Sequence, residues 1–214
     1  MKKLVLSLVV IASIVTACKG EKKEKAIETK EEVKVETNIA DLNNVDTAAS
    51  ELTWKGTKPT GAHNGLVMIK DGDLLVESGE VKGGEFVIDM ASIKVLDIPA
   101  DKEGNGKLVG HLTSADFFDV ATYPTSKFVI TSVENKGDKI HVTGNLTLKD
   151  VTKSITIPAT VSTEGGVTTF QSEKFMVNRA DFNVKYASKS FFGDLKDKFI
   201  DDNMELSFTV KTKA

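Results

Sequence analysis

The sequence predicts an all-β domain, an antiparallel sandwich or barrel of about eight or nine short strands with one or two short helices. Three observations carry that expectation. Apolar and polar residues alternate in short runs, turn-forming clusters separate those runs, and no helix recurs between strands to set up a βαβ rhythm. In chain order the runs are Leu52 to Lys58, Gly65 to Lys70, Leu74 to Val81 and Glu85 to Met90, with Asp71-Gly72-Asp73 and Gly83-Gly84 as turn signals between them. Next, Thr113-Ser114-Ala115-Asp116 resembles a helix start, and Leu108, Leu112, Ala115 and Phe118 would share one helical face. Lys127 to Val133 is a further strand. It is followed at Lys136-Gly137-Asp138 by a turn, and then by the cleanest alternation in the chain.

There Ile140, Val142, Gly144, Leu146 and Leu148 face one way, and Lys139, His141, Thr143, Asn145 and Thr147 the other. Ile155, Ile157, Ala159 and Val161 repeat the pattern after Lys149-Asp150-Val151-Thr152, so the two runs read as a hairpin. Thr168 to Asn178 follows the Gly165-Gly166 turn. Met204, Leu206, Phe208 and Val210 then form a last strand with one apolar and one wet face.

The amino-terminal stretch has a different build. Lys2 and Lys3 precede a short apolar run from Leu4 to Val15, as in a secretory signal peptide, and the run is too short for a bilayer span of about 20 residues. Val15-Thr16-Ala17-Cys18 resembles the lipobox of bacterial lipoproteins, and Cys18 is the only Cys in the chain. That resemblance implies cleavage before Cys18 and its acylation, which would tether the protein to a membrane without spanning it. The expected division is a signal peptide at 1–17, a lipidated and charged flexible tether at 18–44, and a folded domain at 45–214. The tether reading rests on Lys19 to Glu36, which is dominated by charge and has no aromatic residue, although Glu and Lys at i, i+4 would also support a short exposed helix.

Composition narrows the function classes. The 214 residues carry a formal charge of -3, which offers no concentrated basic face for nucleic acid. One Cys excludes an internal disulfide framework, and the three His at 63, 111 and 141 are too widely spaced to read as a metal site. No cofactor motif stands out. Gly104, Gly106 and Gly110 fall one residue out from a dinucleotide fingerprint and read as a flexible loop, and no nucleophile and base are paired. A barrel of about eight strands is either filled by side chains or holds one small ligand. Small inward candidates (Gly144, Ala159, Ser132) alternate with Phe86, Phe128, Phe170, Phe175 and Phe208, a mixture compatible with a solid core or an apolar pocket.

Several separated stretches carry a family resemblance: His111 to Val120, Tyr123 to Phe128, Val142 to Lys153, and Phe175 to Phe182 with its Arg-x-Asp-Phe segment. In order and spacing they resemble the YceI-like family, over about Val45 to Lys213. The resemblance implies a lipocalin-like antiparallel β-barrel that binds polyisoprenoid chains in a long apolar cavity, in a bacterial envelope compartment, with no established reaction. With the lipobox, it implies a lipoprotein at the outer membrane, facing the periplasm or the surface, whose partner is an isoprenoid lipid such as a polyprenyl lipid or quinone tail. The alternative is a structural or partner-docking lipoprotein with a filled barrel. Asn183 departs from the Gly that many members carry after the Arg-x-Asp-Phe segment.

Two further features bear on a ligand site. Arg179, the only Arg, suits either a ligand head at the cavity mouth or an ion pair with Asp181 or another nearby carboxylate. Phe117 and Phe118 would cap the barrel, line its channel, or simply pack. The candidate ligand-binding set is therefore Phe86, Phe117, Phe118, Phe128, Gly144, Phe170, Phe175, Phe208 and Arg179.

Overall fold

A computed structural model describes residues 24–34 and 44–214, so Cys18, the expected signal peptide and the remainder of the tether lie outside the described residues. Ten strands form: β1 (Glu51–Lys58), β2 (Gly61–Glu77), β3 (Glu80–Asp89), β4 (Lys94–Val95), β5 (Thr125–Lys136), β6 (Lys139–Leu148), β7 (Val151–Glu164), β8 (Val167–Ser172), β9 (Phe175–Asn178) and β10 (Asn203–Lys211). Eight of them close into an antiparallel barrel in the order β1-β10-β8-β7-β6-β5-β3-β2, with β2 returning to β1. The short strands β4 and β9 add to β2 and β10. Closure pairs the strand edges all round except along a seam beside β7 and turns one set of alternating side chains inward. That set includes Val142, Ile155, Ile157, Phe170 and Val210, all buried.

The hairpins follow local chemistry. Gly137, Gly165 and Gly166 take positive φ at their turns, as does Lys149 between β6 and β7. Two other glycine signals mean something different. Asp71-Gly72-Asp73 and Gly83-Gly84 are not turns; they lie inside β2 and β3, which are long strands joined at Ser78-Gly79. A Cβ on Gly72 would stand 2.9 Å from Glu85 O, and one on Gly84 2.9 Å from Asp73 O. Here glycine permits two backbones to approach at a bulged bend in the ladder, next to the register shift between Ile69 and Asp71.

The helix also differs from its expected place. The helix α1 spans Glu103–Thr113 and ends where a start was expected: Ser114 Oγ donates to His111 O (2.8 Å) and Ser114 N to the same carbonyl. A Ser/Thr cluster binds backbone at either end of a helix, so the signature is ambiguous without tertiary context. Gly104, Gly106 and Gly110, read as a loop, lie within this helix. The helix is tied to the segment before it by its own Asn105 amide, which donates to Val95 O and Ile98 O. Residues 179–182 form a 3-10 turn that ends at Asn183 with φ 60°, a left-handed conformation that Gly adopts freely and that Asn tolerates.

The run Thr168 to Asn178 is broken rather than continuous. Between β8 and β9 the pairing to β10 slips by one residue, and the Ser172 hydroxyl accepts the Phe208 N–H (2.9 Å) that the ladder leaves over. Beyond the break no pairing joins β9 to β7, and residues 24–34 lie between their edges. Lys30 exchanges both backbone bonds with Ser154 of β7 (2.9 Å each), and Ile27 N donates to Met176 O of β9 (2.8 Å). The buried Asn145 amide clamps Val33, accepting from its N–H (3.0 Å) and donating to its C=O (2.7 Å). For these residues the solvated-spacer expectation is corrected. Charge composition disfavours a core, but it does not prevent backbone from satisfying two open strand edges.

Candidate functional site

The barrel interior holds an apolar cavity in two chambers. The larger, ≈ 100 Å³, lies toward the end where β6 finishes and β10 begins, and its walls include Trp54, Val67, Met90, Leu112, Val177 and Met204. The smaller, ≈ 40 Å³, is walled by Phe86, Phe128, Ile155, Ile157, Phe175 and Phe208. Leu52, Ile88, Leu146 and Leu206 border both and form the waist between them. Roughly 10–15 Å³ of such space admits one water, but a water needs two or more polar partners, and walls this largely apolar suit hydrocarbon.

Residues nominated from the sequence divide by location. Phe117, Phe118 and Arg179 line the larger chamber, and Phe86, Phe128, Phe175 and Phe208 the smaller. Phe170 lines neither: it is 0 % exposed and packs 5.0 Å from the Phe208 ring and 6.1 Å from Phe86, as solid core behind the smaller chamber. Gly144 lines neither, because the Phe128 ring occupies its inner side and a Cβ there would fall 2.3 Å from Phe128 Cζ. The wall residues Leu52, Trp54, Ile88, Met90 and Met204 were not singled out as site residues. Alternation marks Met204 and Leu206 as inward, but nothing local distinguishes a wall from a filled core. The Trp54 Nε1–H is buried and has no hydrogen-bond partner among the described residues.

At the mouth, residues 114–123 turn tightly back on α1 and bring two rings over the barrel. Phe117 and Phe118 meet edge to face at 4.9 Å, Phe117 lies 5.7 Å from His111, and His111 meets Tyr186 at 4.6 Å. The Arg179 guanidinium sits 5.4 Å from the Phe117 ring centre and is 0 % exposed. Its fork is committed to the segment that follows: Nε donates to Asp201 O (3.2 Å), Nη1 to Val184 O (2.6 Å) and Nη2 to Ile200 O (3.0 Å). Asp202 supplies an ionic contact at 3.3 Å without the alignment of a hydrogen bond. Burial pulls the Arg179 pKa below its usual value, against the opposing pull of the Asp202 and Asp201 carboxylates. The ion-pair partner is thus Asp202 and not Asp181, whose carboxylate accepts from Thr29 Oγ1 (2.8 Å) and Asn178 Nδ2 (2.9 Å). Arg179 shapes the rim by binding three carbonyls.

Residues 43–212 match the family model described as the YceI-like domain. The chain belongs to the YceI-like domain family. Among curated relatives, a UPF0312 protein of Pseudomonas putida is 38% identical over 96 residues, 44% of this chain and 47% of that protein. Protein YceI of Salmonella arizonae is 47% identical over 55 residues, 26% of this chain and 29% of that protein. Across these matches the chain spans about half the length of its curated relatives, or less. BcnA of Burkholderia cenocepacia has a similar solved structure, with a TM-score of 0.64 at 24% identity, covering 79% of this chain and 100% of BcnA. A polyisoprenoid binding domain from Saccharophagus degradans gives a TM-score of 0.58 at 16% identity, covering 80% of this chain and 97% of that one. At these identities the two structures show a shared YceI-like fold.

Proposed function

We propose that this YceI-like protein binds and carries a long-chain isoprenoid, a polyprenyl lipid or a quinone tail, in its barrel while anchored to the cell envelope. The observation that carries the reading is the apolar two-chamber cavity inside a closed barrel, under an aromatic rim. The polyisoprenoid-binding relative supports the choice of ligand. Burial supplies the driving force, at about 0.8 kcal/mol per CH₂ removed from water, so affinity grows with chain length without a charged contact. At ≈ 100 Å³ and ≈ 40 Å³ the chambers hold only a short stretch of chain, so a ligand of many prenyl units enters by parting the waist at Leu52, Ile88, Leu146 and Leu206. No reaction is required of the site. Support for anchoring comes from the lipobox-like segment that ends at Cys18.

The decisive experiment is solvent extraction and mass spectrometry of protein purified from its native envelope. Prenyl lipid is expected at near one per chain, falling several-fold in Leu52→Phe at unchanged fold. An extract free of prenyl lipid would instead favour the second reading, a filled barrel serving as a structural or docking lipoprotein, to which the small chamber volumes and the interlocked Phe170 core point. Mass spectrometry of the amino-terminal peptide tests the anchor: acylated Cys18 is expected, and an unmodified thiol refutes it.

A further inference from the structure

The segment that Arg179 holds, residues 183–202, carries the largest exposed rings of the described surface. Tyr186, Phe191 and Phe192 are 43%, 47% and 49% exposed. Their placement is fixed rather than accidental: Phe191 N and Phe192 N both donate to Ser188 O (3.2 and 2.9 Å), and Tyr186 leans on His111 of α1. Four exposed lysines accompany them, Lys185, Lys189, Lys196 and Lys198, against two exposed carboxylates, Asp194 and Asp197. Lys185 Nζ lies 4.8 Å from the Phe191 ring centre, and Lys189 Nζ lies 3.3 Å from that of Phe199. The root of the segment is part of the mouth, because Ile200 and Asp201 line the larger chamber and Asp201 N donates to Thr57 O at the end of β1 (2.9 Å).

We propose that this crest is a membrane-docking surface, which seats the mouth of the cavity on a bilayer containing anionic phospholipid. Clustered exposed rings are costly in water and mark an interaction surface. Rings flanked by lysines match a bilayer interface, where aromatics settle at headgroup depth and ammonium groups reach the phosphates. Position favours lipid over a protein partner: a tail that passes between bilayer and barrel at this crest never crosses open water, which is the barrier to its transfer. Transfer of a tail at the crest rests on the carrier reading above; the crest and its nearness to the mouth do not.

The test uses the full chain, purified in detergent and reconstituted into phosphatylethanolamine/phosphatidylglycerol vesicles that carry nitroxide-labelled lipid. An environment-sensitive fluorophore is attached through Gly193→Cys on the crest, where a Cβ meets no atom within 4 Å, or through Asp138→Cys on the β5–β6 turn at the opposite end. The parent chain, with Cys18 alone, sets the labelling background. The crest probe is expected to shift to the blue and be quenched several-fold more than the Asp138→Cys probe. Phe191→Ser with Phe192→Ser should abolish the difference while leaving the affinity for a prenyl lipid added in detergent unchanged, since neither ring lines the cavity. Equal quenching at both positions, quenching indifferent to loss of the two rings, or burial of the crest probe in a dimer without nitroxide quenching would each overturn docking. Crest quenching in a protein that yields no prenyl lipid would support docking and reject the carrier reading, so the two ideas fail separately.

Discussion

Replacing Arg179 with Met keeps the length of the side chain and removes its fork. Three carbonyls, Asp201 O, Val184 O and Ile200 O, lose charged donors at 3.2, 2.6 and 3.0 Å, and the Asp202 carboxylate, 17% exposed, loses its counter-charge. Hydrogen bonds to charged groups contribute about 1.5–3 kcal/mol each, which would suggest a large sum. The segment is near the surface, however, and its carbonyls can rehydrate once it loosens. Removing one partner of a buried pair typically costs about 3–5 kcal/mol, and we expect that range. For a chain of this size about 2–4 °C of melting temperature follows each kcal/mol, so the expected drop is roughly 6–20 °C. Thermal and urea unfolding measure it. Limited trypsin digestion shows where the loss falls, because Lys185, Lys189, Lys196 and Lys198 lie in the released segment. Arg179→Lys should lose less, since an ammonium still reaches one carbonyl but cannot copy the planar fork. A loss under about 1 kcal/mol, the scale of an exposed ion pair, with the segment still protected, would refute the view that this side chain staples the rim.

Other expectations follow from the same geometry. Trp54 is the only Trp and lines the larger chamber, so delipidation should shift its emission and adding back a prenyl lipid should reverse the shift; emission insensitive to lipid would place the ligand elsewhere. Asn145→Ala removes the clamp on Val33 and should cost about 1–2 kcal/mol, with faster amide exchange at residues 27–33; unchanged exchange would show that the Ser154 and Met176 bonds suffice. Asp97 accepts from Asn64 N (2.9 Å) and meets His63 Nδ1 (2.8 Å). Burial raises its pKa, yet the Asn64 and His63 hydrogen bonds outweigh burial and hold the carboxyl below its ordinary value of 3.8. A lowered carboxyl stabilises the fold above that value and ceases to as pH falls through the folded-state pKa. Asp97→Asn should therefore lose stability at neutral pH and converge with the parent in acid, and a constant difference across that range would contradict the assignment.

What could be read from sequence is what depends on neighbours close along the chain. The alternation of 139–148 and 154–161 gave the β6–β7 hairpin, and Met204, Leu206, Phe208 and Val210 gave the inward face of β10, because side-chain direction repeats every two residues regardless of what the strand faces. Separated motifs located the YceI-like domain. Local signals misled where the same residues serve two ends: Thr113-Ser114 closes a helix instead of opening it, and Gly72 and Gly84 admit a close backbone approach rather than a turn.

Closure of the barrel decided the rest. Whether an inward Phe borders empty space or packs against another ring depends on distances across the sheet, which is why Phe128 lines a chamber while Phe170 and Gly144 do not. The same holds for residues 24–34: their charge gives no hint of a seam between β7 and β9, and only the slip in pairing near Ser172 exposes the two edges that their backbone fills. For Arg179, the sequence supplied a solitary guanidinium, and the returning chain at Val184, Ile200 and Asp201 supplied the carbonyls that fix its place.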